Sequence, residues 1–374
     1  MLVIKKLLPF ICLCIYACSS TNKYVEVQTA KTSNKINVDS SYIELEESNT
    51  GYIFSSLSTK DTDYLAMLFD STLGVFNLMT GKKINELKIS PVTNDDSSDY
   101  VINSICINAV DDIFTISIKE VTRYYKKSIT RIELNKDRKH FLLYNLQDDH
   151  PYFDKMTNTL YLQKYLTEYS QSSTDFYKTS VLTGFNVQNG NLSECPVYYS
   201  ALYLTNYYGF ANHVYYSSND SLSVISFPVD PNIYIYDRKN SKVSVVGGRS
   251  SFHTNEIFAL KRDFSSSREE KMKHWAQIAE YNETLIDKQN GYIYRFFMQD
   301  QPLKDTTTGK YNKYFDKALI VMIFNNEREL VKEFKIDNKL NNSFLSFTGN
   351  KKLYIGYTSP LTKHLVFKII KVKG

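Results

Sequence analysis

The feature that most constrains the fold is a phrase that recurs along the chain. In its clearest copies, YFDKMTNTLYL at 152–162 and LIDKQNGYIYRFF at 285–297, an Asp-Lys pair leads through a short polar stretch into apolar and aromatic residues. Each copy therefore predicts a turn followed by a β-strand. Looser copies are KDTDYLAMLF (60–69), NAVDDIFTISI (108–118), FANHVYYSS (210–218) and TGNKKLYIGY (348–357).

The spacing of these copies indicates a ring of repeated units. Their strand centres are about fifty residues apart in the first half of the chain and somewhat farther apart later, a period typical of β-propeller blades. A unit is expected to contain an inner strand, its partner and an outer hairpin, so the sequence predicts an all-β, six-bladed β-propeller of four-stranded blades. The predicted outer hairpins follow the first five copies, at 73–89, 128–144, 181–197, 232–246 and 318–336.

The last unit lacks a strand. The sixth copy is followed only by HLVFKIIKV at 364–372, and propellers often complete the last blade with a strand from the other terminus. Either SYIELEE (41–47) or GYIFSSL (51–57) could supply it. The 30 Tyr and 22 Phe agree with a β fold, because aromatic residues favour pleated, half-buried surfaces. A single blade cannot bury both faces, so we expect most tyrosines to pack between blades.

The first twenty residues predict export and a lipid anchor. Lys5 and Lys6 precede an apolar run from Leu7 to Ala17, which has the length of a signal-peptide core and is too short to span a membrane. Cys18 follows Ala17, and this arrangement resembles the bacterial lipoprotein signal, in which the cysteine becomes the lipidated first residue. An ordinary signal peptide cut nearby is the alternative.

These features divide the chain and predict its location. SSTNK after Cys18 lacks the acidic run that resembles a surface-export signal, so we expect a lipid-anchored protein in the cell envelope that faces the periplasm. No linker rich in Pro, Gly or Ser separates two halves. The expected parts are a signal peptide at 1–17, a tether at 18–40, and one propeller at 41–374 with an insertion at about 247–283.

Charge and cysteine content exclude some classes of protein. Removal of Lys5 and Lys6 with the signal lowers the formal net charge from +5 to +3. This charge is nearly neutral for a chain of this length and does not indicate a nucleic-acid-binding protein. Beyond the signal and Cys18, only Cys106 and Cys195 remain. They could form a disulfide or stay as two buried free thiols, and the sequence leaves both open.

Motifs of catalysis and metal binding are missing from the sequence. It contains no H-E-x-x-H, no G-x-S-x-G, no paired C-x-x-C and no Walker-type glycine loop, and its six histidines lack metal-ligand spacing. In QDDHP (147–151), Asp148 and Asp149 beside His150 could form an acid/base pair, but the following proline favours a turn. We expect no metal and no cofactor, and catalytic residues stay unknown.

Three polar residues are the candidate ligand contacts. Arg249 and His253 open the insertion, whose SSSREEKMKHWAQIAE segment predicts a short capped helix that carries Trp275, the only tryptophan. Arg295 interrupts an apolar strand, where a charge faces either a structural partner or the central channel. We expect these three residues to contact a ligand at one end of the channel, with a structural pairing of Arg295 as the alternative.

The chain resembles a family of uncharacterised Bacteroidetes lipoproteins that carry a TolB-like six-bladed propeller of unknown function. The resemblance is carried by the lipoprotein-type signal, the Tyr-rich repeats, NGYIYRFF in a late blade and GGRSSFHTNEI before it. It implies a cell-envelope location and no particular reaction. The function expected is a non-catalytic binding or scaffold propeller for a protein or glycan partner. The alternative is a propeller enzyme, a glycan lyase or hydrolase, for which carboxylates or histidines clustered at the channel mouth would argue.

Overall fold

A computed structural model shows six antiparallel sheets arranged as the blades of a propeller. Inner strands contact one another across most junctions between blades, including that of the first and last blades, and a shared hydrophobic cluster joins the third and fourth blades, so the ring is closed. The signal peptide and Cys18 lie outside the described residues. The structure describes residues 36–46, 53–69, 71–89, 101–134, 141–144, 150–261, 266–336, 345–359 and 361–373.

Strands make up most of the described chain, with two short α-helices, α1 (Leu202–Thr205) and α2 (Arg268–Gln277). The strands of the first half are β1 (Asn37–Glu44), β2 (Ile53–Ser58), β3 (Asp63–Phe69), β4 (Thr72–Asn77), β5 (Lys83–Lys88), β6 (Ser104–Ala109), β7 (Asp112–Ile116), β8 (Glu120–Tyr125), β9 (Ser128–Glu133), β10 (Phe141–Tyr144), β11 (Tyr152–Asp154), β12 (Thr159–Leu166), β13 (Leu182–Asn186) and β14 (Leu192–Glu194). Those of the second half are β15 (Tyr215–Ser218), β16 (Leu222–Phe227), β17 (Asp230–Asp237), β18 (Lys242–Val246), β19 (Glu280–Ile286), β20 (Ile293–Met298), β21 (Leu319–Phe324), β22 (Leu330–Lys335), β23 (Ser346–Gly349), β24 (Lys352–Thr358) and β25 (Leu365–Lys373).

Each blade follows the chain from its inner to its outer strand. The first, second, fourth and fifth blades are β2–β5, β6–β9, β15–β18 and β19–β22. In the third blade the inner position is shared, because β10 and β11 pair with different halves of β12, followed by β13 and β14. The predicted six-bladed propeller of four-stranded blades is therefore confirmed.

The N-terminal strand closes the ring. β1 pairs with β25 as the outermost strand of the sixth blade, from Asn37 opposite Lys373 to Glu44 opposite Val366. The closing strand is thus the segment that contains SYIE, while GYIFSSL contributes to the inner strand β2. Gly81, at φ +74°, lies against the end of β1, and a Cβ there would meet the Glu44 carbonyl oxygen at 2.3 Å. This contact requires glycine and fixes the closing strand beside the first blade.

Six hydrophobic clusters fill the spaces between blades, one at each junction. β20 shows how one strand serves two of them. Ile293 and Phe297 face the fourth blade, whereas Tyr294 and Phe296 face the sixth, because successive side chains leave a strand on opposite faces. The junction of the third and fourth blades is rich in tyrosine, with Tyr161, Tyr177, Tyr199, Tyr203, Tyr208, Tyr216 and Tyr236.

The recurring phrase does not always occupy the same place in its blade, and one predicted hairpin was wrong. The copy at 210–218 leads into β15, an inner strand, whereas the other copies lead into the second strands β3, β7, β12, β20 and β24. The predicted hairpin at 128–144 is divided between two blades, since β9 is outermost in the second blade and β10 is innermost in the third. The sequence pattern is ambiguous here, because two strands separated by a polar segment can form a hairpin within one blade or the connection between two blades. The other four outer hairpins are confirmed.

The two described cysteines are free thiols. Cys106 lies in β6 and Cys195 follows β14, and both are buried. Burial raises the pKa of each thiol to about 12, so both are expected to be unreactive near neutral pH. Of the two alternatives that the sequence leaves open, the structure shows the buried free thiols.

Candidate functional site

The turns that join the first and second strands of the blades lie on one face of the ring, called here the mouth face. Side chains from different blades meet there. Gln289 of the fifth blade donates to the Thr59 carbonyl oxygen of the first at 3.1 Å, and Asn350 of the sixth donates to Asp63 at 2.8 Å. The inner turns of these blades therefore surround the ring axis.

A cavity of about 490 Å³, called here the mouth cavity, opens on this face. Its volume lies within the range of small-molecule binding sites in proteins. Its walls come from the inner strands and inner turns of five blades. The lining residues are 55–60, 106–108, 151–156, Asp220, Lys288 and Gln289.

The two Asp-Lys pairs of the recurring phrase form the same turn. Asp154 Oδ1 accepts the backbone N–H of Met156 at 2.9 Å, and Asp287 Oδ1 accepts that of Gln289 at 2.9 Å. The aspartate thus closes an Asx turn. The residue after it, Lys155 or Lys288, lines the mouth cavity.

Two further turns repeat this construction with other residues. Asn219 Oδ1 accepts the N–H of Ser221 at 3.0 Å, and Asp220 lines the cavity. Thr59 Oγ1 accepts the N–H of Thr62 at 3.2 Å, and Lys60 lines the cavity. In four blades, therefore, the capping side chain fixes the turn and the next residue presents a charged group to the cavity.

Tyr152 lies at the centre of these charges. Its hydroxyl donates to Asp220 Oδ1 at 3.0 Å, and its ring centroid is 4.8 Å from the Arg238 guanidinium carbon and 5.4 Å from Lys288 Nζ. Burial, followed by the Asp220 charge, raises the pKa of Tyr152 well above its ordinary value. Tyr152 is therefore a neutral phenol that donates to Asp220.

The cavity lysines have no anionic partner in the described part of the chain. Among the described residues, no hydrogen bond or ion pair forms at the ammonium groups of Lys60, Lys155 and Lys288, and all three residues are exposed where they line the cavity. Lys288 nevertheless has many protein atoms around it, and the resulting desolvation is the main cause of the lowering of its pKa; Asp220 opposes this effect and Lys155 adds to it. Cations so placed make the cavity attractive to anions.

Deeper in the channel, a histidine meets a carboxylate. His150 Nε2 lies 3.6 Å from Glu283 Oε1, and the Ser346 hydroxyl donates to Glu283 Oε2. The adjoining space, lined by inner-strand residues of five blades, has a volume of only about 40 Å³. That volume holds water but no sugar ring. Asp148 and Asp149 lie outside the described residues.

Arg295 lies between the fourth and fifth blades and is fully buried. Its guanidinium donates to Ser226 Oγ at 2.7 Å, to the Asp230 carbonyl oxygen at 2.8 Å and to the Gly248 carbonyl oxygen at 3.2 Å. It also stacks over the Tyr281 ring at 4.0 Å, and burial lowers its pKa to about 10. This environment is that of a structural arginine that joins two blades.

Arg249 and His253 meet Arg295 around Tyr281, near the start of β19 and away from the mouth face. The Tyr281 hydroxyl accepts the Ser250 N–H at 3.2 Å and lies 2.8 Å from His253 Nδ1, to which it can donate. Burial, followed by the Arg249 charge, lowers the pKa of His253 to about 4. The structure thus brings the three predicted residues together, and their contact with a ligand stays a prediction.

The insertion contains the predicted capped helix. In α2 the Ser267 hydroxyl accepts the Glu270 N–H at 3.1 Å and the Glu270 carboxylate accepts the Ser267 N–H, a capping box. Trp275 stacks on Tyr314 with centroids 3.9 Å apart and donates to Glu280 Oε2 at 2.9 Å. Trp275 therefore secures the helix to the start of β19, at the end of that strand opposite the mouth face.

The residues that line the mouth cavity were missed as candidates, although the sequence carries a signal for them. Lys155 and Lys288 stand in the Asp-Lys pairs of the recurring phrase itself. Since each turn occupies the same place in its blade, the residue after the turn aspartate recurs at the mouth. Among the described residues, no group of three or more His, Cys, Asp or Glu side chains could hold a metal ion, and no helix is long and apolar enough to cross a membrane.

Comparison with solved structures shows the same fold in two Bacteroides proteins. A member of the DUF4221 family from Bacteroides vulgatus superposes with a TM-score of 0.74 at 14% identity, over 93% of this chain and 100% of that one. A Bacteroides fragilis protein that is predicted to be exported gives a TM-score of 0.53 at 10% identity, over 93% of this chain and 99% of that one. At these identities the likeness concerns the fold alone. No family model and no curated protein matches the sequence.

Proposed function

We propose that the chain is a cell-envelope lipoprotein whose propeller is a non-catalytic binding module for a protein or glycan partner. The mouth cavity holds the part of that partner that the propeller recognises. The observation that carries the proposal is the cavity itself, at the ring axis and lined by charged residues from the turns of several blades. Propellers place functional residues where loops from a rigid scaffold converge. The N-terminal signal pattern and the fold shared with a predicted exported protein support the envelope location.

An enzymatic role fits these observations less well. His150 and Glu283 form an acid/base arrangement in the channel, but the space beside them is about 40 Å³. Tyr152 in the mouth cavity is held as a neutral donor to Asp220. The cavity thus offers groups that bind and orient a ligand, whereas the acid/base pair lies where a glycan does not reach.

Replacement of Cys18 with serine tests the lipid anchor. The variant should move from the membrane fraction to the soluble fraction, because a serine cannot carry the thioether-linked lipid that anchors the chain. Fractionation and mass spectrometry of the mature N-terminus measure this change, and protease treatment of whole cells should spare the periplasm-facing wild type. A Cys18→Ser protein that stays membrane-bound contradicts the anchor.

Obstruction of the mouth cavity tests the binding role. Ser56 lines both the cavity and the channel beneath it, and its hydroxyl makes no hydrogen bond to any residue that the structure describes. A ligand is first identified on an array of envelope glycans and peptides. Ser56→Trp should lower the affinity for that ligand by about tenfold or more, because the indole would occupy the space in which the ligand binds. Equilibrium titration of the purified variant and wild type measures the loss.

The matched control is Ile129→Trp, which adds the same side chain to an exposed position of the outer strand β9. It should bind like the wild type. Binding that Ser56→Trp leaves unchanged would place the ligand elsewhere. Turnover of a glycan that ceases on replacement of His150 or Glu283 would establish the enzyme instead.

A further inference from the structure

We infer that the mouth cavity takes a carboxylate-bearing sugar, whose carboxylate pairs with Lys288 and Lys155. This inference rests on the proposed function and names the ligand class of the same cavity. It follows from the turn geometry, from the groups that remain unpaired, and from the size of the space.

The turn geometry fixes the positions of the two cations. Each lysine directly follows an aspartate that caps its own turn, so the backbone beneath it is held by side-chain and backbone hydrogen bonds. In the fifth blade, Gly291 at φ +71° completes the turn, and its N–H donates to the Asp287 carbonyl oxygen at 3.0 Å. A rigid turn that presents a lysine to a cavity suits ligand recognition better than a lysine on a mobile loop.

The aspartates beside these lysines do not neutralise them. Asp154 uses both oxygens within its own turn, accepting from the Met156 N–H and from the Thr157 hydroxyl at 2.9 Å each. Asp220 accepts from Tyr152, whose ring lies beneath Lys288 Nζ. Asp220 therefore offsets the charge of Lys288 only in part, and Lys155 and Lys288 face the same space as like charges that form no ion pair with a described carboxylate. An anion between them would remove this repulsion and favour the protonated form of Lys288.

The remaining polar groups and the volume favour a sugar acid over a bare ion. The Ser56 hydroxyl and the outer oxygen of Asp220 are available to a ligand's hydroxyl groups, as a donor/acceptor and an acceptor. A space of about 490 Å³ is much larger than a simple anion needs and is in the range that small organic ligands occupy. Apolar side chains such as Leu57 also line the cavity, and the carbon atoms of a sugar ring can pack against them.

The test compares two probes that differ only at carbon 6, which is a carboxylate in D-glucuronate and a hydroxymethyl group in D-glucose. Each is titrated into the wild-type protein, with thermal shift and calorimetry as the readouts and sodium chloride as the ionic control. Glucuronate should raise the melting temperature and bind at least about tenfold more tightly than glucose, since a charge-assisted hydrogen bond is roughly twice as strong as a neutral one. No stabilisation by glucuronate, or equal stabilisation by sodium chloride, overturns the inference.

Two lysine variants locate the effect. Lys288→Gln should weaken glucuronate binding by about tenfold and leave glucose unchanged, because it removes the cation and keeps a hydrogen-bonding side chain of similar length. The control is Lys242→Gln, an exposed lysine of the outer strand β18, which should bind glucuronate like the wild type. An equal loss in both variants would mean a general charge effect and overturn the assignment to Lys288.

The outcome also separates this inference from the proposed function. One outcome is that uncharged glycans or peptides bind, that Ser56→Trp abolishes this binding, and that glucuronate does not bind. The cavity is then a binding site, and only the anionic ligand class is wrong. If glucuronate binds and Ser56→Trp has no effect on it, the site itself is misplaced and both proposals fail.

Discussion

Arg295→Ala should lower the free energy of unfolding by about 4 kcal/mol, the largest single-residue effect expected in this chain. Truncation would leave the Asp230 and Gly248 carbonyl oxygens without a donor they use in the folded protein, in a place that water does not reach. A buried acceptor without a partner costs about 1–3 kcal/mol, and the vacated volume adds to this cost. Equilibrium denaturation in urea measures the difference.

Arg249→Ala is the matched control for Arg295. Arg249 is half-buried in the same region and makes one long contact, 3.5 Å to the His253 carbonyl oxygen, so its loss should cost less than about 1 kcal/mol. Arg295→Lys should fall between the two, since a lysine keeps the charge and loses the planar fork of donors. An Arg295→Ala protein as stable as Arg249→Ala would contradict a structural role and return Arg295 to the candidate ligand contacts.

Asp63→Ala should lower the free energy of unfolding by about 3 kcal/mol, because it weakens the junction between the first and last blades. Asp63 is buried at the start of β3 in the first blade and accepts hydrogen bonds from two residues of the sixth, Tyr354 at 2.7 Å and Asn350 at 2.8 Å. Ser58 donates to it at 2.6 Å and Lys352 lies at 3.5 Å. Alanine removes all four contacts at once and leaves the buried Tyr354 hydroxyl and three half-buried donors without this acceptor.

Asp61→Ala provides the control for Asp63, since Asp61 is exposed in the same turn and makes no hydrogen bond. The free energy of unfolding of the Asp61→Ala protein should lie within about 0.5 kcal/mol of that of the wild type. A double-mutant cycle with Tyr354→Phe should show that the two residues are coupled, because they share one hydrogen bond. Additive losses, or an Asp63→Ala protein as stable as Asp61→Ala, would show that this carboxylate does not hold the first and last blades together.

Much of the fold was predictable because blades repeat both a turn chemistry and an alternation of side chains. The Asp of the recurring phrase caps the inner turn, as Asp154 and Asp287 show, and the following apolar run supplies a strand that is buried on both faces. At 210–218 the predicted turn and strand are present, but this strand is the inner one of its blade, whereas the other copies form second strands. Local sequence specifies a turn and a strand, whereas the position of a strand within its blade depends on pairing across the sheet.

The candidate site was less predictable, because it depends on which residues of distant turns converge at the axis. Arg295 drew attention as a charge within an apolar strand, but its partners are carbonyl groups of another blade that no local pattern reveals. Lys288 looked like an ordinary surface lysine after a turn. Its importance comes from Tyr152 and Lys155, which lie more than a hundred residues away in sequence and beside it in the folded ring.

The closing strand also determines which face of the ring the N-terminal segment joins. Asn37 begins β1 opposite Lys373, at the level of the sixth blade's inner turn, because Lys371 pairs with both Asp39 and Lys352. The chain therefore enters the propeller at the rim of the mouth face. If the lipid is on Cys18, the span from Cys18 to Asn37 sets an upper bound of roughly 65 Å on the clearance between the bilayer and that rim. A lipid at Cys18 would then keep the rim of the mouth face, rather than the opposite face, within that distance of the membrane surface.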